Sequence, residues 1–132
     1  MPHSSLIDQT AMARHNDLGA WGEQIAREHL IAAGYKVMER NSRISRSELD
    51  IIAVKDKLMI FVEVKTRSTN LDDALDAIDE KKIRRIVRAA DSFLQRFSIP
   101  FEYRFDIIAV IGSPESGHTL THIPDAFFPP LN

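Results

Sequence analysis

The sequence contains no cysteine among its 132 residues, which excludes disulfide bonds and thiolate metal sites and favours a reducing compartment. It also lacks long apolar runs. The longest, residues 58–62 and 107–111, are far too short to span a bilayer. The N-terminal residues have neither the charged start nor the apolar run of a secretion signal. We therefore predict a cytoplasmic protein with no membrane partner.

A large excess of one charge is also missing, because the net charge is only -2, and this argues against bulk attraction to nucleic acid. The charges are nevertheless segregated along the chain. An acidic stretch over residues 72–80 is followed at once by a basic stretch over residues 81–88, and a second basic cluster covers residues 36–46. We therefore expect local fields, rather than the net charge, to decide which partner is bound.

The hydrophobic pattern predicts one α/β domain over residues 16–132, preceded by a flexible arm over residues 1–15. A first helix begins at Asp17 and ends at Gly34, and the glycines inside it, Gly19 and Gly22, are expected to permit close packing. Later elements are a strand over residues 35–41, a hairpin over 48–55 and 58–66, a helix from the acidic stretch to residue 97, and a strand over 101–111. The Pro-rich end of the last segment, residues 121–132, is predicted to be irregular. This α-β-β-β-α-β order predicts a mixed sheet flanked by helices.

The hairpin carries three charges inside its apolar strands. Side chains alternate across a strand, so Glu63 and Lys65 share one face. A two-residue loop at residues 56–57 would place Asp50 directly opposite Glu63, and a loop at 55–56 would place it diagonally, still on that face. Only a loop of odd length would turn Asp50 away. Two half-buried carboxylates so close together require a shared proton or a cation.

Two interpretations of these charges stay open from the pattern alone. In the first, Lys65 is the cation and the group is a structural ion pair or triad, although buried pairs often lose more in desolvation than they recover. In the second, the carboxylates bind a divalent metal, because Mg²⁺ takes one or two carboxylates together with water and phosphate oxygens. Glu23 lies at the edge of the first helix's apolar stripe and is in a position to aim a third carboxylate at the sheet.

Four motifs within residues 17–111 closely resemble the YraN family of small bacterial proteins: GAWGEQIAREHLIAAGYKVMERN, SELDIIA, FVEVKTR and RFDIIAV. That family is similar to the PD-(D/E)xK nuclease superfamily, near the archaeal Holliday-junction resolvases. The resemblance implies a restriction-endonuclease-like core. It also implies a metal-dependent endonuclease that hydrolyses phosphodiester bonds in branched or structured DNA. The alternative that it leaves open is a non-catalytic nucleic-acid-binding module within a repair or recombination assembly.

The resemblance also implies roles for particular residues. Asp50 and Glu63 would hold Mg²⁺ or Mn²⁺, the Val64 carbonyl would add a ligand, and Glu23 would reach the metal directly or through water. Lys65 would orient or help to deprotonate the attacking water, or stabilise charge on the phosphate. Resolvase-like relatives act as dimers, so a homodimer and contacts with repair or recombination proteins are further expectations.

We expect the second helix to contact nucleic acid. Several of its basic residues repeat at helical spacing opposite the apolar stripe, and such like charges repel unless an anion lies across them. Together with basic residues near the hairpin, the predicted contact set is Lys81, Lys82, Arg84, Arg85, Arg88, Arg43, Arg46 and Arg67. The competing interpretation is a solvated helix face, in which Glu80 pairs with Arg84 and the charges suit the helix dipole.

Two further expectations concern residues outside this set. Asp106 is predicted to be a structural partner of an arginine rather than a metal ligand. The five histidines show no spacing typical of a zinc site.

Overall fold

The computed structural model describes residues 2–38 and 49–128. Its elements in chain order are α1 (Pro2–Ala32), β1 (Lys36–Val37), β2 (Ile51–Lys55), β3 (Leu58–Arg67), α2 (Leu71–Asp76), α3 (Glu80–Phe97), β4 (Glu102–Ser113) and β5 (Gly117–Phe127). The strands form one sheet in the order β1-β2-β3-β4-β5, in which only the β3–β4 pair is parallel. The predicted mixed sheet flanked by helices is therefore confirmed.

The sheet is covered on both faces by apolar clusters. On one face, α1 packs against strands β2, β3 and β4. This cluster consists of Ala26, Leu30, Ile51, Ala53, Ile60, Val62, Ile108 and Val110. Residues of α3 pack on the other face in a cluster of Leu49, Ile52, Met59, Phe61, Ile86, Ala90, Phe93 and Phe105. Strand β3 contributes to both clusters, because its alternate side chains point to opposite faces. It is therefore the central strand that the sequence predicted.

Helix α1 begins at Pro2 and so includes the residues for which the sequence predicted an arm. Proline is well suited to the first turn of a helix, and no further proline or glycine interrupts the chain before Gly19. None of the helices in the described ranges is long and apolar enough to cross a membrane.

The predicted helix from the acidic stretch to residue 97 is confirmed as α3, whereas α2 is a separate short helix that the sequence did not predict, and residues 77–79 separate the two. Asp79 does not lie inside a helix but caps α3, because its carboxylate accepts a hydrogen bond from the N–H of Lys82 at 2.8 Å. Asn70 caps α2 in the same way through the N–H of Asp73. The acidic stretch thus supplies a helix cap as well as first-turn charges.

Strand β5, which is absent from the predicted order of elements, continues to Phe127 and pairs with β4. The two adjacent prolines of the predicted irregular end, residues 129 and 130, lie outside the described residues. Pro124 would break a central strand, but β5 lies at the edge of the sheet, where a missing N–H is tolerated. Gly112 and Gly117, both at positive φ, flank the turn that starts this hairpin.

Candidate active site

The turn of the β2–β3 hairpin has two residues, Asp56 and Lys57, both with positive φ, as a type I′ turn requires. Lys55 consequently pairs with Leu58, and Ile51 pairs with Val62. Asp50, directly before β2, is therefore brought to the level of Glu63, as the even-loop prediction required. Its Oδ2 accepts a hydrogen bond of 2.9 Å from the N–H of Val64. The Asp50 carboxylate thus takes the place of a backbone carbonyl acceptor next to Ile51, the first residue of β2 that pairs with β3.

Glu63 is a buried carboxyl, with 2% of its surface exposed, on the α3 face of the sheet. Burial raises its pKa, and the nearby, hydrogen-bonded Asp50 carboxyl raises it further, to about 9. Two lysines oppose this shift, because the amines of Lys65 and Lys82 each lie 3.9 Å from a Glu63 oxygen. Glu63 Oε2 makes no hydrogen bond within the described part of the chain. At neutral pH the folded protein therefore keeps a proton on Glu63 unless a bound cation replaces it.

Lys82 is a member of this group that sequence reasoning did not identify. It was assigned to the predicted nucleic-acid contact set, but the structure directs its amine towards Glu63. A signal was available in the sequence, since Lys82 lies one helical turn before Ile86, which is followed by Ala90 on the same buried stripe. A lysine that extends a buried stripe points towards the sheet.

A cleft of about 220 Å³ opens beside this charged group, where α1 passes the end of the hairpin. It is lined by Gly19, Glu23, Asp50, Val64, Lys65, Thr66 and Arg67. Glu23 comes from the helix on the opposite face from Glu63, and its Oε1 lies 3.9 Å from Nε of Arg27. The structure thus brings Glu23, Asp50, Val64 and Lys65 together at the cleft. Glu63 does not line the cleft but is buried next to Lys65, on the same face of β3.

The close approach of α1 to the sheet at this point depends on Gly22. A Cβ atom built on Gly22 would overlap with the side chain of Thr66, so the predicted close packing is confirmed there. The same prediction is wrong for Gly19 as far as the described part of the chain goes, because none of its atoms would lie within 4 Å of a Cβ at that position. Gly19 instead lines the open cleft.

The donors at this site fit a hard divalent cation with few protein ligands. No group of three or more His, Asp or Glu side chains among those described, in residues 17–38 and 49–128, is arranged to hold a metal, so Glu23, Asp50 and Glu63 do not form a closed carboxylate cage. Asp50 and Glu63 still offer two opposed carboxyls, and Glu63 Oε2 lacks a hydrogen bond within those residues. Mg²⁺ needs no more than one or two carboxylates when water and phosphate oxygens complete its shell.

The predicted nucleic-acid residues divide into three groups. Lys81, Arg84, Arg85 and Arg88 are exposed on α3, where Arg84 forms a 2.7 Å ion pair with Glu80. Arg67 lines the cleft, and its Nη1 donates a 2.8 Å hydrogen bond to the carbonyl of Thr66. Arg43 and Arg46 lie outside the described residues.

A second polar network joins α1 to β4 and β5, away from the cleft. Asp106 is fully buried and accepts hydrogen bonds from Arg104 at 2.8 Å, from His122 at 2.8 Å and from the N–H of Asp125 at 3.0 Å. Burial opposes ionisation, but these hydrogen bonds outweigh it and lower the pKa of Asp106. His122 in turn lies 3.1 Å from His29 of α1. The predicted structural pairing of Asp106 with an arginine is confirmed.

Comparison with known proteins gives a consistent result along most of the chain. The model of the uncharacterised protein family UPF0102 matches residues 22–110. A UPF0102 protein from Parabacteroides distasonis is 50% identical over 120 residues, which cover 90% of this chain and 98% of that protein. A UPF0102 protein from Bacteroides thetaiotaomicron is 48% identical over 122 residues, covering 91% of this chain and 99% of that protein.

Proposed function

The chain belongs to the UPF0102 family, and from the charged cleft that it carries we propose that it is a metal-dependent nuclease of the restriction-endonuclease-like type. The observation that supports this most directly is the pair formed by half-buried Asp50 and buried Glu63, which faces two lysines and adjoins an open cleft. A carboxyl whose pKa is raised to about 9 weakens the fold at neutral pH. Such a cost is typical of functional sites rather than of structural cores.

Each residue has a role in phosphodiester hydrolysis under this proposal. Asp50, Glu63 and the Val64 carbonyl would hold Mg²⁺ or Mn²⁺, which when bound polarises the phosphate and lowers the pKa of a bound water. Lys65, which lines the cleft, positions the attacking water and stabilises negative charge on the phosphate. Glu23, which lines the same cleft, would reach the metal directly or through water.

Lys82 takes a different role from Lys65. The Lys82 amine lies on α3 near the second oxygen of Glu63, so it partly offsets the negative charge of Asp50 and Glu63 when no metal ion is bound. The remaining α3 basic residues stay exposed and extend from this point along the helix. We propose that they contact the phosphates of DNA, with branched or structured DNA as the preferred substrate and a cytoplasmic site of action. Dimerisation and contact with repair or recombination proteins belong to the same proposal.

Cleavage assays test the proposal. Purified protein is incubated with branched, flapped and linear DNA, and with RNA, in the presence of Mg²⁺ or Mn²⁺. We expect metal-dependent cleavage that is lost in Lys65→Ala and retained in Lys57→Ala, since Lys57 lies in the exposed hairpin turn. Equal products from the wild type and Lys65→Ala across all substrates and metals would refute catalysis at this site.

A second candidate is a nucleic-acid-binding module that does not cleave. It is favoured by the two lysines near Glu63, which supply positive charge without a metal, and by the missing three-carboxylate cluster in the described ranges. This candidate requires salt-sensitive binding that Glu63→Ala leaves intact and that Arg84→Ala with Arg85→Ala weakens. A rise in melting temperature with Mn²⁺ that Asp50→Asn abolishes would favour the metal-dependent enzyme over it.

A further inference from the structure

A second cavity adjoins the cleft and has no role in the chemistry described above. Its volume is about 530 Å³, and it is lined by Asp17, Leu18, Ser68, Ser113, Pro114 and Glu115. Leu18 is the chain neighbour of Gly19, and Ser68 is the chain neighbour of Arg67, and both Gly19 and Arg67 line the cleft. The two cavities therefore adjoin along α1 on one side and along the end of β3 on the other.

Gly19 lines the cleft, and its chain neighbour Leu18 lines the second cavity. A glycine inside a helix is less stable than an alanine. At Gly22 close packing on Thr66 offsets this cost, but no described atom would lie within 4 Å of a Cβ on Gly19. Packing among the described residues therefore does not explain Gly19. Its position at the cleft indicates that the missing side chain leaves room for a ligand to pass.

The two cavities differ in charge. The cleft has two basic side chains, Lys65 and Arg67, beside its two carboxylates, whereas the described residues that line the second cavity include Asp17 and Glu115 and no basic residue. Carboxylates repel a phosphate but accept hydrogen bonds from the amino groups of nucleobases. Leu18 and Pro114 add apolar surface against which a base can pack. The volume lies within the range of about 300–1,000 Å³ that is usual for small-ligand sites.

We infer that the second cavity binds the nucleoside next to the scissile phosphate, which reaches it by crossing Gly19. This inference rests on the proposed nuclease function and narrows its substrate. A base that enters the cavity is unpaired, so the preferred DNA has an unpaired nucleotide beside the cleavage point, as a flap or a branch provides. A continuous duplex would first have to extrude that base from its stack, which weakens binding.

Gly19→Leu tests the inference, with Ala20→Leu as the matched control, because Ala20 is exposed and lines neither cavity. Binding is measured by fluorescence anisotropy in EDTA, with labelled flap DNA that carries either a normal or an abasic nucleotide on each side of the junction. We expect Gly19→Leu to weaken binding about tenfold while its melting temperature stays equal to or above that of the wild type. The abasic substitution should weaken binding by the wild type and by Ala20→Leu, but not by Gly19→Leu.

Three outcomes would overturn the inference in distinguishable ways. If Gly19→Leu binds and cleaves flap DNA like the wild type, the subsite is wrong and the nuclease proposal stands. If Asp17→Asn with Glu115→Gln tightens binding about tenfold, the cavity takes a phosphate rather than a nucleoside. If the wild type neither binds nor cleaves any nucleic acid, the proposed function itself fails and the subsite fails with it.

Discussion

The buried carboxyl of Glu63 makes a quantitative prediction about stability. Its ordinary pKa of 4.5 is raised to about 9 in the folded protein, so between these values the folded state holds a proton that the unfolded state releases. Stability must therefore fall as pH rises from 4.5 to about 9. From pH 4.5 to neutrality the interval is about two and a half units, and at about 1.4 kcal/mol per unit the loss is about 3 kcal/mol.

Glu63→Gln removes this loss, because an amide of similar shape stays neutral and can still donate a hydrogen bond to Asp50. In EDTA near pH 7 we expect the free energy of unfolding to rise by about 3 kcal/mol over the wild type, and the decline with pH to disappear. Glu102→Gln, at an exposed position at the start of β4, is the matched control and should change neither quantity.

Urea unfolding at several pH values between about 5 and 9 measures both quantities, and added Mg²⁺ measures the link to metal binding. A bound cation requires the ionised carboxylate, so metal stabilisation of the wild type should grow with pH and be absent in Glu63→Gln. A wild-type unfolding free energy that is flat over this range would refute the reasoning. It would mean that the neighbouring lysines keep Glu63 ionised without a metal.

Three further predictions concern other parts of the molecule. Gly22→Ala should lower the free energy of unfolding by about 1–3 kcal/mol in chemical denaturation, because the new methyl group overlaps with Thr66; an unchanged value would show that α1 shifts freely. The pKa of His29 is lowered by burial and then by the adjacent β5 histidine, so below pH 6.5 the unfolded state binds a proton more readily than the folded state. The free energy of unfolding should therefore fall as pH drops below 6.5, and His29→Asn should reduce this fall. Urea unfolding that shows the same pH dependence for the wild type and the variant would contradict the prediction. Arg85→Ala should reduce the slope of log affinity against log salt by about one in DNA titrations, whereas Arg96→Ala, at the far end of α3, should leave it unchanged. Equal slopes for the wild type and Arg85→Ala would show that Arg85 does not contact the phosphates.

The hairpin could be predicted in part from the sequence. Alternation placed Glu63 and Lys65 on one face, but the level of Asp50 depended on the loop, and the structure selects the loop at residues 56–57 that sets Asp50 opposite Glu63. The apolar stripe of α3 was predictable for a similar reason, since Ile86, Ala90 and Phe93 repeat at helical spacing. In each case the hydrophobic period determined the outcome.

The elements that could not be predicted depend on local polar contacts or on position in the sheet. The break before α3 follows from a hydrogen bond to Asp79, and no glycine or proline marks it. Strand β5 tolerates Pro124 only because it lies at an edge, which is a property of the assembled sheet. The place of Lys82 beside Glu63 likewise requires knowing how α3 lies over β3.

The cap of α3 lies at the protein surface, but it is connected to the buried Glu63 through Lys82. Asp79 accepts its hydrogen bond from the backbone of Lys82, the same residue whose side chain reaches Glu63. A solvent-exposed carboxylate therefore fixes the point from which an amine extends over a buried one. We expect a ligand or modification that breaks the hydrogen bond of Asp79 to loosen the first turn of α3 and to move the Lys82 amine away from Glu63. A change at the outer surface would then alter the charge next to a buried carboxyl.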